Sequence, residues 1–132
     1  MTHDEVQAWL DRYVEAWRSS DPSDIGALFS HDATYRYHPY DTDDDVLHGR
    51  EAITADWLEN PDDPESWNAH YEPYAVDGDR AVATGTSHYR ARDGKPEQTY
   101  WNCYLLRFDA EGRCSDFTEL YMLQPGPVAP VA

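Results

Sequence analysis

Apolar residues recur at helical spacing between residues 4 and 19, the clearest pattern in the chain. Thr2 followed by Glu5 is typical of a capping box, in which each side chain binds the backbone N–H of the other. Charged residues occupy the opposite face, so the pattern predicts an amphipathic helix. Because the apolar stripe contains three large aromatic residues, we expect it to lie on a broad surface such as a sheet. The stripe consists of Val6, Trp9, Leu10, Tyr13, Val14 and Trp17.

A second, shorter helix is predicted after Asp21-Pro22, because Asp caps helix N-termini and Pro is tolerated at the first helical position. Its buried side is expected to consist of Ile25, Leu28 and Phe29.

The next segments alternate between strand and helix. Residues 33–38 have the alternation of a β-strand, which Pro39 ends, and an acidic loop follows at 41–45. Residues 48–51 predict the start of a third helix, which ends before Pro61.

The remainder of the chain predicts an antiparallel sheet. Turn signals at Asp77-Gly78, Asp93-Gly94 and 109–112 separate alternating apolar runs. Helices followed by a meander indicate an α+β fold, in which the curved sheet wraps around the N-terminal helices and leaves a cavity at its open end. The four strands are expected near residues 67–76, 80–91, 97–108 and 113–123.

One domain is predicted over residues 1–124, because no linker or repeat divides the chain. The tail at 125–132 is rich in proline and cannot continue a β-ladder. We expect it to lie along the protein surface or a partner subunit.

Charge and aromatic content narrow the class of partner. Acidic residues outnumber basic ones by 26 to 10, for a formal net charge of −16. This charge repels nucleic acid and anionic membranes, so neither is an expected partner. It leaves two explanations open, namely solubility and the attraction of a cationic ligand. Since 14% of the residues are aromatic, disorder is excluded and an aromatic-lined cavity is favoured.

The cysteines and the N-terminus favour a cytoplasmic location. Cys103 and Cys114 are too few for a disulfide framework, and both fall in strand-like runs, so we expect buried free thiols. The N-terminus has no signal-peptide pattern, and no apolar stretch is long enough to cross a membrane.

The order and spacing of several segments resemble the SnoaL-like branch of the nuclear-transport-factor-2-like superfamily. The resemblance implies a cone-shaped, cystatin-like fold with a deep pocket for a small organic molecule, and it implies a homodimer. Relatives include isomerases, polyketide cyclases, epoxide hydrolases, dehydratases and non-catalytic binding domains, and a fold does not choose among them. The segments that resemble the family are 13–17, 21–29, 32–35, 49–53, 76–82, 107–109 and 117–121.

Strand alternation, together with the inward face that the resemblance implies, selects the residues expected to line this pocket. Two helices are expected to close it with further aromatic side chains. The predicted ligand-binding residues are Tyr13, Trp17, Tyr35, Tyr37, Trp57, Ser87, Tyr89, Asn102, Tyr104, Phe117 and Tyr121.

Glu119 is the leading catalytic candidate. It stands between Phe117 and Tyr121, so an inward orientation places a carboxylate among aromatic rings. Desolvation would raise its pKa, and such a group acts as a general base. The alternatives are a Glu bound to a Tyr hydroxyl and a Glu at the strand edge in water. Asn102 also requires partners if buried, either a polar network or a ligand.

His38, near the mouth of the cone, and His70, on the strand at 67–76, are further acid–base candidates. No pair of histidines has the spacing of a metal site, so no metal is expected. The sequence contains no Gly-rich phosphate loop and no nucleophile motif, so no cofactor is expected either.

Two catalytic patterns of the relatives are incomplete in this chain. The epoxide hydrolases resemble it in placing an acid at the position of Glu119. They also carry an Arg and an Asp two residues apart on a strand where this chain has Gly85 and Ser87. Epoxide hydrolysis is therefore disfavoured. The base of ketosteroid isomerase would fall among residues 35–37, which contain no carboxylate.

The sequence thus leads to two hypotheses about the pocket, besides a third in which the protein is a subunit whose sheet face mainly builds a dimer. The first is a cofactor-independent isomerase, cyclase or dehydratase that transfers a proton on a hydrophobic carbonyl-type substrate. The second is a non-catalytic domain that binds a small neutral or cationic organic molecule.

Overall fold

The computed structural model describes residues 1–126 and begins with the long amphipathic helix α1 (His3–Ser19). The predicted capping box is present, because Thr2 Oγ1 accepts from the Glu5 amide at 3.1 Å and Glu5 Oε1 accepts from the Thr2 amide at 3.0 Å. Val6, Trp9, Leu10 and Tyr13 of the apolar stripe are buried, Val14 and Trp17 are half-buried, and the helix packs against β3 of the sheet.

The second helix, α2 (Pro22–Gly26), starts as predicted, with Asp21 accepting hydrogen bonds from the amides of Ser23 and Asp24. It is shorter than expected. Leu28 and Phe29 are buried, but Phe29 belongs to strand β1 (Phe29–Arg36) rather than to the helix. The reason is a long-range pairing: Phe29 is in register with Cys114, whose amide donates to Leu28 O.

Two further elements connect β1 to the main sheet. The two-residue strand β2 (Leu47–His48), which the sequence pattern missed, pairs with β1. Helix α3 (Arg50–Glu59) follows and buries Ile53.

The four-stranded meander has nearly the predicted bounds, namely β3 (Trp67–Asp77), β4 (Arg80–Tyr89), β5 (Gln98–Phe108) and β6 (Cys114–Leu123). The β3–β4 turn contains Gly78 with a φ of 61°, a left-handed conformation that favours glycine. The sheet order is β2-β1-β6-β5-β4-β3, in which β1 and β6 are parallel and every other neighbouring pair is antiparallel. The α+β prediction is confirmed: the helices lie against a curved, unclosed six-stranded sheet.

Aromatic side chains from α1 and the inner sheet face form the core. Trp9 lies at its centre and donates from Nε1 to Leu28 O at 3.0 Å, so its polar atom is satisfied. Phe117 stacks on Tyr35 with ring centroids 4.3 Å apart. This core supports one end of the sheet and leaves the other end open.

The tail expected at 125–132 falls largely outside the described residues, which end at Gly126. Within residues 1–126, no helix is long and apolar enough to span a membrane.

Candidate functional site

The open end of the sheet encloses a cavity of about 380 Å³ between α1, α3 and the inner faces of β1, β4, β5 and β6. Seven tyrosines and two tryptophans supply most of its wall. The lining residues are Tyr13, Ala16, Trp17, Ser20, Ile25, Tyr35, Tyr37, Asp56, Trp57, Asn60, Pro61, Asp62, Ser87, Tyr89, Tyr100, Asn102, Tyr104, Glu119 and Tyr121.

Strand register brings the polar candidates together. On β5 and β6, Tyr104 lies opposite Glu119, and Asn102 lies opposite Tyr121. Because side chains alternate between the two faces of a sheet, all four point into the cavity. Ser87 on β4 reaches the same space.

Glu119 is the lining group whose pKa burial brings close to neutral pH. Burial among the rings raises its pKa from the usual 4.5 to about 7, because the charged form is desolvated. Within residues 1–126, its carboxylate has no hydrogen bond or ion pair to a protein group. Near neutral pH, this residue is therefore populated in both protonation states.

A polar network lies beside Glu119. The Ser87 hydroxyl is 2.6 Å from the Tyr71 hydroxyl, and it accepts a 2.7 Å hydrogen bond from Asn102 Nδ2. Asn102 is 6% exposed, and its Oδ1 has no protein donor among the described residues. The amide therefore presents an acceptor to the cavity, and the network fixes its orientation.

Two carboxylates that sequence reasoning missed also line the cavity. Asp56 of α3 accepts a 2.6 Å hydrogen bond from the Tyr37 hydroxyl, and Asp62 accepts a 3.1 Å hydrogen bond from Trp17 Nε1. The sequence offered one signal for Asp56, because it lies three residues after Ile53, which α3 buries, and residues at this spacing share a helix face. Asp62 lies in a loop whose path depends on tertiary contacts, so no local pattern indicates its place in the site.

The buried tyrosines stay protonated and can donate hydrogen bonds at neutral pH. Burial raises the pKa values of Tyr13, Tyr35 and Tyr104 well above 10, and that of Tyr71 to about 12. The hydroxyls of Tyr13 and Tyr35 are 3.1 Å apart and hydrogen-bond to each other. At the wall, Tyr89 has no protein hydrogen-bond partner within residues 1–126, nor does Tyr100.

Ten of the eleven predicted ligand-binding residues line the cavity, and Phe117 does not. Phe117 is fully buried and stacks between Tyr35 and Tyr13, so it forms part of the core beneath the cavity. It shares its strand face with Glu119, but the aromatic rings above it exclude it from the surface.

The two candidate histidines lie outside the cavity wall. His70 is exposed on the outer face of β3, where its Nε2 is 3.1 Å from Glu72 Oε1, because strand alternation directs it away from the cavity. His38 follows β1 rather than ending it. Its Nδ1 is 3.1 Å from Asp41 Oδ1, and its Nε2 is 3.0 Å from the hydroxyl of the lining residue Tyr121. His38 thus reaches the cavity through Tyr121.

Gly85 explains why β4 presents no large side chain near Asn102. A Cβ atom here would overlap His70 O and lie 2.6 Å from Tyr71 Cδ1. The close approach lets the Tyr71 ring cross the strand toward Ser87. An arginine at this position is sterically incompatible with the observed packing.

No group of three or more His, Cys, Asp or Glu side chains suited to a metal ion occurs among residues 1–126. Cys103 and Cys114 are free thiols, but only Cys114 is buried as expected, since Cys103 is half-buried on the outer face of β5. Burial raises the pKa of both.

Comparison with known proteins agrees with this architecture. A sequence model described as the SnoaL-like domain matches residues 10–117. Among solved structures, the fold is similar to that of an LEH-like epoxide hydrolase from M. tuberculosis, with a TM-score of 0.65 and 13% sequence identity over 91% of this chain and 84% of that one. At this identity the likeness shows the fold alone. No curated protein matches the chain by sequence.

Proposed function

The chain belongs to the SnoaL-like domain family, and we propose that its cavity binds a small organic molecule on which Glu119 transfers a proton. The observation that carries the proposal is an inward carboxylate with a pKa of about 7 and no protein partner among the described residues. General acid–base catalysis is most efficient when the pKa of the catalytic group lies near the working pH.

The reaction would be of the isomerase, cyclase or dehydratase type and would need no cofactor. In an isomerisation, the Glu119 carboxylate takes a proton from the carbon beside a carbonyl, and the C–H electron pair moves into an enolate. The resulting carboxylic acid then returns the proton to a different carbon. The free hydroxyls of Tyr89 and Tyr100 are the donors available to the enolate oxygen.

The size and walls of the cavity support a compact substrate. A volume of about 380 Å³ lies within the range of small-molecule sites. Aromatic walls favour an apolar body and exclude water, which strengthens every electrostatic interaction inside.

His38 is proposed as a positioning residue. The chain of contacts from Asp41 through His38 to the Tyr121 hydroxyl supports this role, because it orients a polar group at the cavity edge. His70 is not assigned a part in the reaction, since it contacts Glu72 on the opposite sheet face.

Turnover of β,γ-unsaturated ketones, with and without an amino group, tests the proposal. We expect Glu119→Gln to lower kcat/KM at least about 100-fold, since a positioned general base contributes 10²–10⁴. Glu15→Gln, on the exposed face of α1, is the matched control and should leave the rate unchanged. Undiminished turnover in Glu119→Gln would remove this residue from the mechanism.

A second candidate function is binding without catalysis. The aromatic wall supports this alternative, because it can hold a ligand with no chemical step. Saturable binding of a ligand that the protein leaves chemically unchanged, with no proton exchange at the ligand, would favour this function.

We further propose that the protein is a cytoplasmic homodimer. The outer faces of β5 and β6 expose four apolar side chains, Trp101, Leu105, Leu120 and Met122, which we call the outer apolar face. Trp101 lies opposite Met122 in the strand register, so these residues form one patch. Patches of this kind mark protein interfaces.

The two free thiols support the proposed cytoplasmic location, because thiols stay reduced in that compartment.

A further inference from the structure

The charges around the cavity all have one sign. Three carboxylic acids line it, namely Glu119, Asp56 and Asp62, and no Lys, Arg or His is among its lining residues in the described chain. A site built for a carboxylate or phosphate would contain a cationic donor or a ring of backbone amides. The electrostatic character of the lining therefore favours a positive ligand.

The aromatic walls point to the same ligand class. The faces of Tyr and Trp rings carry negative potential and attract cations, which is how aromatic cages recognise ammonium groups. Trp57 stands perpendicular to the Tyr13 ring, with centroids 5.2 Å apart, so the wall presents rings in more than one orientation. Such an arrangement can surround a compact cation on several sides.

Besides the free hydroxyls of Tyr89 and Tyr100, the cavity presents two acceptors without protein donors in the described part of the chain. Asn102 Oδ1 has no protein donor within residues 1–126, although the side chain is more than nine-tenths buried and Ser87 holds its Nδ2. The Glu119 carboxylate is likewise without a donor in the same part of the chain. Since buried acceptors without donors are costly, the ligand is expected to bring N–H groups or a positive charge.

We propose that the cavity selects a small organic cation, a protonated or quaternary amine, with its charge near Glu119 and against the aromatic rings. This inference rests on the proposed small-molecule function and adds the chemical class of the ligand. It also gives the large negative charge of the chain a local role, the second of the two explanations that the composition left open.

Coupled proton release follows from the same arrangement. The carboxylates of Asp56 and Asp62 share the cavity with Glu119. The other groups that face Glu119 are tyrosines, among them Tyr13 on α1, Tyr35 and Tyr37 on β1, Tyr71 on β3, Tyr89 on β4 and Tyr104 on β5. All remain neutral near pH 7, so they do not compete for the proton. A bound cation stabilises the charged carboxylate, so binding at pH 7 should release a proton, and affinity should rise with pH through this range.

The experiment compares charged and neutral ligands of one shape. Calorimetric titration would use acetylcholine as the cationic probe and 3,3-dimethylbutyl acetate as its uncharged isostere, with tetramethylammonium and benzyltrimethylammonium as probes of other sizes. We expect the cationic ester to bind at least about tenfold tighter than the neutral one. Titration in buffers of different ionisation enthalpy should show proton release at pH 7.

Glu119→Gln should remove the proton release and most of the preference for the cation, while Glu15→Gln keeps both. Equal or tighter binding of the neutral ester to the unaltered protein would overturn the inference, as would failure of all three cations to bind below about 10 mM. The measurement of proton release uses the unaltered protein, so it decides the inference even if Glu119→Gln fails to fold.

The outcome can be separated from that of the proposed function. Selective cation binding with undiminished turnover in Glu119→Gln would support the ligand class and reject the proton-transfer role. Loss of turnover in this variant, with no preference for cations in the unaltered protein, would support the proton-transfer role and reject the ligand class.

Discussion

Glu119 makes the site chemically useful at a cost in folding stability. Its pKa is about 7 in the folded protein and near the ordinary 4.5 when unfolded, so the folded state holds its proton to higher pH. Below pH 4.5 the group is protonated in both states and contributes nothing. As pH rises from 4.5 to 7, ionisation favours the unfolded chain, and the loss reaches about 3 kcal/mol.

Replacing Glu119 by Gln should therefore stabilise the protein at pH 8 and have little effect at pH 4.5. The amide keeps the size of the neutral carboxylic acid but cannot ionise. Urea unfolding of both proteins at the two pH values measures the difference, with Glu15→Gln as the exposed control. Equal stability of Glu119→Gln and the unaltered protein at pH 8 would contradict the desolvated position of this carboxylate.

Ser87 is the second residue whose removal is informative. Its hydroxyl contacts both Tyr71 and Asn102, so Ser87→Ala removes a hydrogen-bond partner from two buried polar groups. We expect a loss of about 1–3 kcal/mol in the free energy of unfolding. Thr84→Ala, on the exposed face of the same strand, is the control and should change stability by less than about 0.5 kcal/mol.

At the scale of elements, the packing of β4 on β3 depends on Gly85, whose backbone lies close to His70 and Tyr71. Gly85→Ala would push a methyl group into His70 O and the Tyr71 ring, and neither strand can move freely within the sheet. We expect a loss of at least about 2 kcal/mol in unfolding free energy, with weakened ligand binding because Tyr71 supports Ser87. A protein of unchanged stability would mean that β3 and β4 are not packed as closely as described.

The sequence predicted the elements whose signals are local. The capping box of Thr2 and Glu5, the Asp21 cap and the Asp77-Gly78 turn are each encoded within a few residues, and all are present. Strand β2 and the parallel pairing of β1 with β6 join residues distant in sequence. The position of Asp62 also depends on such long-range contacts, because they determine the path of its loop.

For the candidate site, alternation along β4, β5 and β6 predicted which side chains face inward. Alternation could not predict how deep each inward side chain lies. Phe117 shares a face with Glu119 but lies beneath the cavity floor, so its assignment to the lining was wrong. His70 was proposed from residue type alone, although alternation along β3 directs it to the outer face, opposite to Tyr71. His38 lies beyond the end of β1, where alternation no longer applies.

At the scale of the whole molecule, the outer apolar face accounts for the proposed dimer. Met122 is 71% exposed and lies opposite Trp101, so Met122→Lys places a charge in the middle of the patch. We expect sedimentation at micromolar concentration to show a dimer for the unaltered protein and a monomer for this variant. Tyr74→Lys, at an exposed position of β3 on the far edge of the sheet, should remain dimeric.

A monomeric unaltered protein at that concentration would reject the homodimer. The electrostatic account of the cavity does not depend on this result, because every lining group described here comes from a single chain.

The most direct test of the account is the titration of the Glu119 carboxyl carbon by ¹³C NMR, assigned by comparison with Glu119→Gln. The structure predicts a midpoint near pH 7, because the aromatic walls desolvate the charged form. A midpoint near 4.5 would mean that this carboxylate is hydrated, and it would contradict both the proton-transfer role and the coupling of Glu119 to a bound cation.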